Sequence, residues 1–170
     1  SQDIAHLDIK MDNLLFGQDY KLKITDFDIS YKKGDVCSIG RGTPGYRAPE
    51  IAHKKCKEPK LADLYSAGII LFVLRFGYLP YDEKDLVFGC NLQELMFQNP
   101  ERFFQVHQKF RKANLDCCEE FKQLFLGMIN EIPEKRLSIN EIRRSSWYQG
   151  QTYKNQEMKS IFNNIFMNNM

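Results

Sequence analysis

The chain has 170 residues, the length of one ordinary domain or of a large part of one. Hydrophobic residues make up 43% of it and charged residues 27%, a composition that is typical of a globular core and excludes a disordered chain. Because 24 Lys and Arg face 22 Asp and Glu, the formal net charge is only +2, which favours neither a nucleic-acid-binding nor a membrane-surface protein.

The sequence shows no clear signal for membrane insertion, secretion or disulfide formation. The longest purely apolar stretch, residues 67–74, is far shorter than the roughly 20 residues of a bilayer-spanning helix. The polar, acidic start of the chain predicts no secretory signal, and a first residue of Ser1 is typical of a fragment. The five cysteines include no C-x-x-C pair, so we expect unpaired thiols, no zinc site and a cytoplasmic location.

The first predicted elements are a hairpin, a loop and a helix. Residues 14–16 and the alternating residues 21–25 flank a Gly-Gln-Asp turn and predict two short antiparallel strands. Residues 28–45 lack periodicity and predict a long surface loop, which is usually a functional feature. Residues 62–76 are apolar on nearly all sides and precede Gly77, so they predict a buried central helix that ends at that glycine.

The remaining predicted elements are helices. Asp116 can cap a helix with one apolar face, formed by Cys117, Phe121, Leu124, Phe125 and Met128. Ser138 and Glu141 have the spacing of a capping box. The C-terminal tail carries an amphipathic stripe of Met158, Ile161, Phe162, Ile165 and Phe166. The sequence therefore predicts a mainly α fold with a small β-hairpin at its N-terminal edge.

Three short motifs carry the chemistry. Residues 6–13 form H-x-D-x-K-x-x-N, residues 26–28 form a D-F-x turn after the second strand, and residues 42–50 read G-T-P-G-Y-R-A-P-E. In this order and at this spacing the motifs resemble the eukaryotic protein kinase family, and specifically the C-terminal lobe of its catalytic domain. Two later segments, D-L-Y-S-A-G at residues 63–68 and P-E-K-R at residues 133–136, are also similar to kinase segments.

The resemblance covers residues 1–148 and leaves residues 149–170 as an amphipathic helical tail. The segment before A-P-E is the Ser/Thr version, and the layout around residues 99–104 resembles the calcium/calmodulin-dependent type. The resemblance implies the C-terminal lobe of the bilobal kinase-like fold, with the N-terminal lobe missing. It also implies transfer of the ATP γ-phosphate to Ser or Thr of protein substrates, with ATP and Mg²⁺ as cofactors.

The resemblance also implies a set of catalytic and metal-binding roles. Phosphoryl transfer depends mainly on positioning and on neutralisation of charge. Asp8 would accept or orient the proton of the incoming hydroxyl, and Lys10 would place its ammonium against the transferred phosphate. Thr43 would hydrogen-bond toward both, while Asn13 and Asp26 would offer Mg²⁺ hard oxygen ligands.

Four further residues take supporting roles by the same resemblance. Glu50 and Arg136 would form a buried ion pair, and Asp63 would anchor the backbone of residues 6–8. Asp12 sits where related kinases that favour basic substrates keep an acidic residue. Taken singly, residues of these types also fit ordinary turns and solvated surfaces, so the interpretation depends on their combination.

The chain departs from the kinase pattern at several positions. Leu7 replaces an Arg that in many relatives pairs with a phosphorylated loop residue, and the place of that residue is taken by Ile39, with Ser38 as its nearest hydroxyl. Our hypothesis is that phosphorylation of the loop does not activate this protein. Asp28 replaces the Gly of D-F-G and adds a carboxylate close to Asp26, which is expected to weaken or redirect Mg²⁺ binding.

Other departures weaken the implied activity further. Val73 stands where a second acidic residue would favour basic substrates. The Gly-rich loop, its strand lysine and the adenine-binding hinge of a kinase precede the segment that this chain resembles. The chain alone is therefore expected to bind ATP poorly and to leave apolar surface exposed. The alternative function is a pseudokinase or truncated paralogue that acts as a binding or regulatory module.

The amphipathic tail allows two interpretations. In relatives of the calcium/calmodulin-dependent type, such a segment is an autoinhibitory or calmodulin-binding helix. Calmodulin targets are usually basic, whereas this tail offers only Lys154 and Lys159. The sequence therefore favours a helix that simply packs on the domain.

Overall fold

A computed structural model of the chain describes residues 3–32, 40–53, 56–81, 86–87, 90–110 and 117–167. The strands are β1 (Ile4–Ala5), β2 (Leu14–Phe16), β3 (Leu22–Ile24), β4 (Tyr31–Lys32), β5 (Leu86–Val87) and β6 (Cys90–Asn91). The α-helices are α1 (Pro49–Ala52), α2 (Pro59–Phe76), α3 (Leu92–Gln98), α4 (Pro100–Phe110), α5 (Glu119–Met128), α6 (Ile139–Arg144) and α7 (Asn155–Met167). The described part is mainly α, as predicted, with three small antiparallel sheets.

The sheets include the predicted hairpin and one pairing that was not predicted. Strands β2 and β3 pair Leu14 with Ile24 and Phe16 with Leu22. Strands β1 and β4 pair over two residues each, so the prediction of an unbroken loop over residues 28–45 is wrong at β4. A strand of two residues is too short to show an alternating pattern, which is why the sequence gives no sign of it. Residues 38 and 39 of the loop lie outside the described residues.

Helix α2 forms the centre of the core. It begins at Pro59, earlier than predicted, because proline already has the backbone φ of a first helical position. It ends at Gly77 in the left-handed conformation, with φ 80°. Phe72 of α2 is fully buried, and its ring lies 5.1 Å from that of Phe125 in α5. A Cβ on Gly68 would lie 2.7 Å from Ile129, so glycine permits this close approach of the chain after α5 to α2.

Two of the capping predictions concern α5 and α6, two helices that begin after residue 117. Helix α5 begins at Glu119, and its N-cap residue, Cys118, makes no side-chain capping bond. The predicted cap, Asp116, lies outside the described residues, and the expectation that Cys117 belongs to the helix is wrong. At α6 the predicted capping box is confirmed, since Ser138 and Glu141 bond each other's backbone N–H groups.

Helix α7 packs on the hairpin. The ring of Phe162 lies 4.7 Å from that of Phe16 in an edge-on contact and 5.5 Å from that of Tyr20. The described part of the tail thus contains a helix that contacts the hairpin through Phe162, while the role of the tail stays a prediction. No helix in the described part of the chain is long and apolar enough to cross a membrane.

The hairpin region also carries exposed apolar side chains. Leu15, Leu22 and Ile24 of the two strands are 53%, 55% and 45% exposed. Phe27, just after the hairpin, is 51% exposed. Large apolar residues clustered on one part of a surface usually mark a place where other protein packs.

Candidate active site

The side chains of Asp8, Lys10 and Thr43 contact one another at the candidate site. The Asp8 carboxylate accepts hydrogen bonds from the hydroxyl of Thr43 at 2.7 Å and from its backbone N–H at 2.9 Å. The Lys10 ammonium donates to the Thr43 hydroxyl at 3.0 Å and lies 3.1 Å from the second Asp8 oxygen. The loop residue Thr43 is thereby held against a carboxylate and an ammonium that lie more than 30 positions earlier in the chain.

The charges at this site stabilise each other. Burial acts to raise the pKa of Asp8, but hydrogen bonds from Thr43 and Lys10 outweigh it and hold that pKa below its ordinary value. The hydrogen bond to Asp8 raises the pKa of Lys10. At neutral pH the site therefore contains a carboxylate that can only accept hydrogen bonds and an ammonium that can only donate them.

The lowered pKa of Asp8 predicts a pH dependence of stability. A carboxylate that is favoured by the folded state adds stability above the ordinary carboxyl pKa of about 4, and this stability is lost as pH falls through the lower, folded pKa. As pH falls below about 5, the unfolding free energy of the native chain is expected to fall more steeply than that of Asp8→Asn. Urea denaturation at several pH values measures the two slopes, and parallel slopes would contradict the prediction.

Asn13 and Asp26 lie at the two ends of the hairpin. Asn13 is buried, and its side-chain N–H donates to the Asp8 carbonyl oxygen at 2.9 Å. Its own carbonyl accepts the Thr25 N–H at 3.0 Å, which closes the base of the hairpin beside Asp26. Asp26 is exposed, has a left-handed backbone with φ 65°, and its charge helps to raise the pKa of Lys10.

The donor chemistry of this pair fits a magnesium ion. Because the Asn13 amide nitrogen already donates to the Asp8 carbonyl oxygen, its Oδ1 is the atom that is suited to a metal. Asp26 adds carboxylate oxygens on an exposed side chain. Mg²⁺ typically takes one or two such protein oxygens and completes its shell with water and phosphate. Among the described residues, no cluster of three His, Cys, Asp or Glu side chains offers a different metal site.

Asp63 holds the backbone beneath the site. Its two carboxylate oxygens accept the N–H groups of His6 at 2.7 Å and of Leu7 at 2.8 Å. Burial raises the pKa of Asp63, although the two backbone bonds act to lower it. Leu7 has a left-handed φ of 65°, an unusual conformation for a bulky residue, and the Asp63 bond stabilises it.

His6 adds a contact that the sequence reasoning missed. Its Nδ1 accepts the Asp8 N–H at 3.2 Å, which leaves Nε2 to donate to the Thr25 carbonyl oxygen at 2.9 Å. The ring also contacts Phe27 edge-on at 4.7 Å. The histidine at the start of the H-x-D motif is visible in the sequence, but the sequence does not show which groups a buried histidine contacts. His6 therefore joins the Asp8 segment to the end of β3.

Glu50 and Arg136 meet in a two-point ion pair at the end of the loop. The Arg136 guanidinium donates to both Glu50 oxygens, at 2.6 and 2.7 Å. It also donates to the carbonyl oxygens of Leu61 and Asn130, and it lies 5.1 Å from the centre of the Tyr65 ring. One buried cation thus joins α1, α2 and the segment after α5.

Comparison with known proteins decides the family. The family model described as "Protein kinase domain" matches residues 1–148 of the chain. The chain belongs to the protein kinase family. Its resemblance to that family, drawn from three short motifs, is confirmed.

Several curated proteins similar to this chain are plant proteins named as CBL-interacting kinases. It is 32% identical to CBL-interacting protein kinase 28 of Oryza sativa subsp. japonica, over 88% of the chain and 32% of the relative. It is 33% identical to CBL-interacting serine/threonine-protein kinase 13 of Arabidopsis thaliana, over 88% of the chain and 28% of the relative. It is 35% identical to CBL-interacting serine/threonine-protein kinase 8 of the same plant, over 87% of the chain and 31% of the relative. The chain thus spans about a third of the length of the curated relatives it matches.

Two departures from the kinase pattern have a clear structural setting. Leu7 is only 6% exposed and belongs to the hydrophobic core, so its side chain is an apolar packing residue. Asp28 is exposed and has no left-handed backbone, whereas Asp26 does. The turn therefore forms with a side chain at position 28, without the conformation that would require glycine.

Proposed function

We propose that residues 1–148 are the C-terminal lobe of a protein kinase that transfers the γ-phosphate of ATP to Ser or Thr of protein substrates, with residues 149–170 as a helical tail. The observation that carries the proposal is the contact of Asp8, Lys10 and Thr43. It places an ionised carboxylate beside a hydroxyl and an ammonium. A hydroxyl that must be oriented for attack on a phosphate requires this environment.

In the proposed reaction each residue has a simple task. The Asp8 carboxylate accepts a hydrogen bond from the substrate hydroxyl, orients its oxygen and takes up its proton. Lys10 stabilises negative charge on the transferred phosphate. Thr43 holds Asp8 and Lys10 in place through its own hydroxyl. Asn13 and Asp26 would hold Mg²⁺, which when bound neutralises the charge of the ATP phosphates.

Asp12 supports a mild preference for basic substrates. It is exposed on the short 3₁₀ helix Met11–Asn13, and its charge contributes to raising the pKa of Lys10 and of Tyr46. An exposed carboxylate at the edge of the site attracts a basic side chain of a bound peptide. Replacement of Asp12 with Asn is expected to raise KM for a basic serine peptide with little change in kcat.

The exposed apolar hairpin supports the interpretation of the chain as one lobe. Leu15, Leu22 and Phe27 are about half exposed, and the curated relatives are about three times as long as this chain. We infer that the ATP-binding half of the catalytic domain covers this surface. Residues 1–170 alone are therefore expected to transfer no measurable phosphate.

A binding or regulatory module is the second candidate function. Leu7 in the core and the exposed Asp28 favour it, since both differ from the usual kinase pattern. Asp8, Asn13 and Asp26 favour the enzyme, because a pseudokinase commonly lacks the base or a metal ligand and this chain has all three.

The first test is the sequence of the transcript upstream of Ser1. If the transcript encodes a Gly-rich loop and a strand lysine there, the complete protein is purified. Its transfer of labelled γ-phosphate to a serine peptide is then measured with and without Mg²⁺. Transfer that requires Mg²⁺ supports the kinase. A transcript that starts close to Ser1, or a complete protein that transfers no phosphate, supports the binding module.

Two observations support proposals about regulation: the names of the relatives and the apolar side chain of Leu7. The relatives are named for an interaction with CBL, so we propose a regulatory protein partner for this chain; calcium/calmodulin control and a cytoplasmic location stay predictions. Because Leu7 cannot bind a phosphate, phosphorylation of the loop is expected not to activate the protein. Loss of activity in Ser38→Ala of the full-length protein would contradict this.

A further inference from the structure

Thr43 lies in a glycine-rich segment of the loop. Thr43 must stay within hydrogen-bond distance of Asp8, yet it lies in a segment that contains Gly40, Gly42 and Gly45. All three glycines have positive φ values, of 93°, 95° and 84°. Glycine loses more conformational freedom on ordering than any other residue, so such a segment needs contacts that hold it.

Arg47 supplies contacts on both sides of Thr43. Its guanidinium donates to the Gly40 carbonyl oxygen at 2.9 Å, and its backbone N–H donates to the Thr43 carbonyl oxygen at 3.1 Å. Its side-chain carbons lie 3.7 and 3.8 Å from the place of a Cβ on Gly42. The arginine therefore closes residues 40–47 into a ring that contains Thr43.

The ring rests directly on the catalytic segment. A Cβ on Gly42 would lie 2.7 Å from the carbonyl oxygen of Leu7, so the backbone of the ring touches the residue before Asp8. Leu7 itself is buried in the core, and its side chain has no donor with which to bind a phosphate. The order of the segment must come from a contact that needs no phosphate.

We propose that Arg47 is a positioning residue which holds Thr43 in the active site without loop phosphorylation. The inference rests on the proposed function for its catalytic meaning, while the ring itself is a property of the fold. Arg47 acts through Thr43 and does not touch the reacting groups. Its charged side-chain donors, including the one to Gly40, are the part that a variant can remove while the backbone bond to Thr43 stays.

The test compares Arg47→Met with Arg47→Lys in the full-length protein. Methionine keeps a long apolar side chain and loses the donor, whereas lysine keeps one charged donor. Arg102→Met, at an exposed position of α4, is the matched control. Hydrogen exchange of the Thr43 amide, which bonds Asp8, is the first measurement because it requires no activity.

In Arg47→Met the Thr43 amide is expected to exchange about 10- to 100-fold faster, the effect of losing a charge-assisted hydrogen bond. Exchange in α2 and α5 should stay unchanged, and Arg47→Lys should recover most of the protection. The phosphoryl-transfer assay should show a lower kcat with an unchanged KM for ATP. Faster exchange without any phosphate transfer by the native protein would keep the ring and reject the proposed function.

Three results would overturn the proposal. The first is native protection of Thr43 in Arg47→Met. The second is a lysine variant as poorly protected as the methionine variant, which would show that a charged donor at this position does not hold Thr43. The third is a rise in exchange through α2 and α5 as well, which would assign Arg47 a general role in stability.

Discussion

Replacement of Asp8 with Asn is expected to lower phosphate transfer by the full-length protein by about 10²–10⁴-fold, the usual contribution of a general base. The amide has the size of the carboxylate and can still accept the bond from Thr43, but it cannot take up a proton. It also removes the negative charge beside Lys10. The measurement is kcat for transfer of labelled phosphate to a serine peptide.

The matched control for this variant is Asp19→Asn. Asp19 is exposed in the turn of the hairpin and bonds the backbone of Lys21, away from the contact of Asp8, Lys10 and Thr43. Its replacement changes the same charge and should leave kcat within about twofold, as expected for a surface position. An Asp8→Asn protein that is folded and retains native kcat would reject Asp8 as the base.

Replacement of Glu50 with Gln is expected to lower the free energy of unfolding by about 3–5 kcal/mol, the typical cost of breaking a buried ion pair. The Arg136 side chain is 0% exposed and that of Glu50 is 9% exposed, so water cannot replace the lost carboxylate. The remaining guanidinium charge stays buried against two carbonyl oxygens. Urea denaturation followed by circular dichroism measures the change.

Two variants make this prediction specific. Glu134→Gln, at an exposed position two residues before Arg136, should change the unfolding free energy by no more than about 0.5 kcal/mol. The double variant Glu50→Met with Arg136→Met removes both charges and should be less destabilised than Glu50→Gln. A double variant that is less stable than the single one would show that the carbonyl contacts of Arg136 matter more than its ion pair.

The predictable parts of this protein are those whose determinants are close together in sequence. The hairpin follows from alternation around a Gly-Gln-Asp turn, and the end of α2 follows from Gly77, which only has to adopt a left-handed backbone. The capping box at Ser138 spans four residues. At the site, Asp8 and Asn13 are five positions apart, so their proximity required no knowledge of the tertiary fold.

The parts that escaped prediction depend on backbone carbonyl groups. Every residue carries such an acceptor, so nothing in a sequence marks Gly40 as the partner of Arg47 or Leu61 as a partner of Arg136. The pairing of Ile4–Ala5 with Tyr31–Lys32 escaped for a related reason, since its hydrogen bonds join backbone to backbone. The sequence therefore indicates the charged side chains of the candidate site but not the backbone acceptors that hold them in place.

The hairpin has a consequence for the spacing of the two proposed metal ligands. Thirteen positions separate Asn13 from Asp26, but the bond from Thr25 N–H to the Asn13 carbonyl brings the ends of β2 and β3 together at one point. The distance between the ligands is therefore set by the base of the hairpin and not by the number of residues in its turn. Insertions of a few residues next to Gln18 should be tolerated there, so this turn is a natural place for a peptide tag or a reporter.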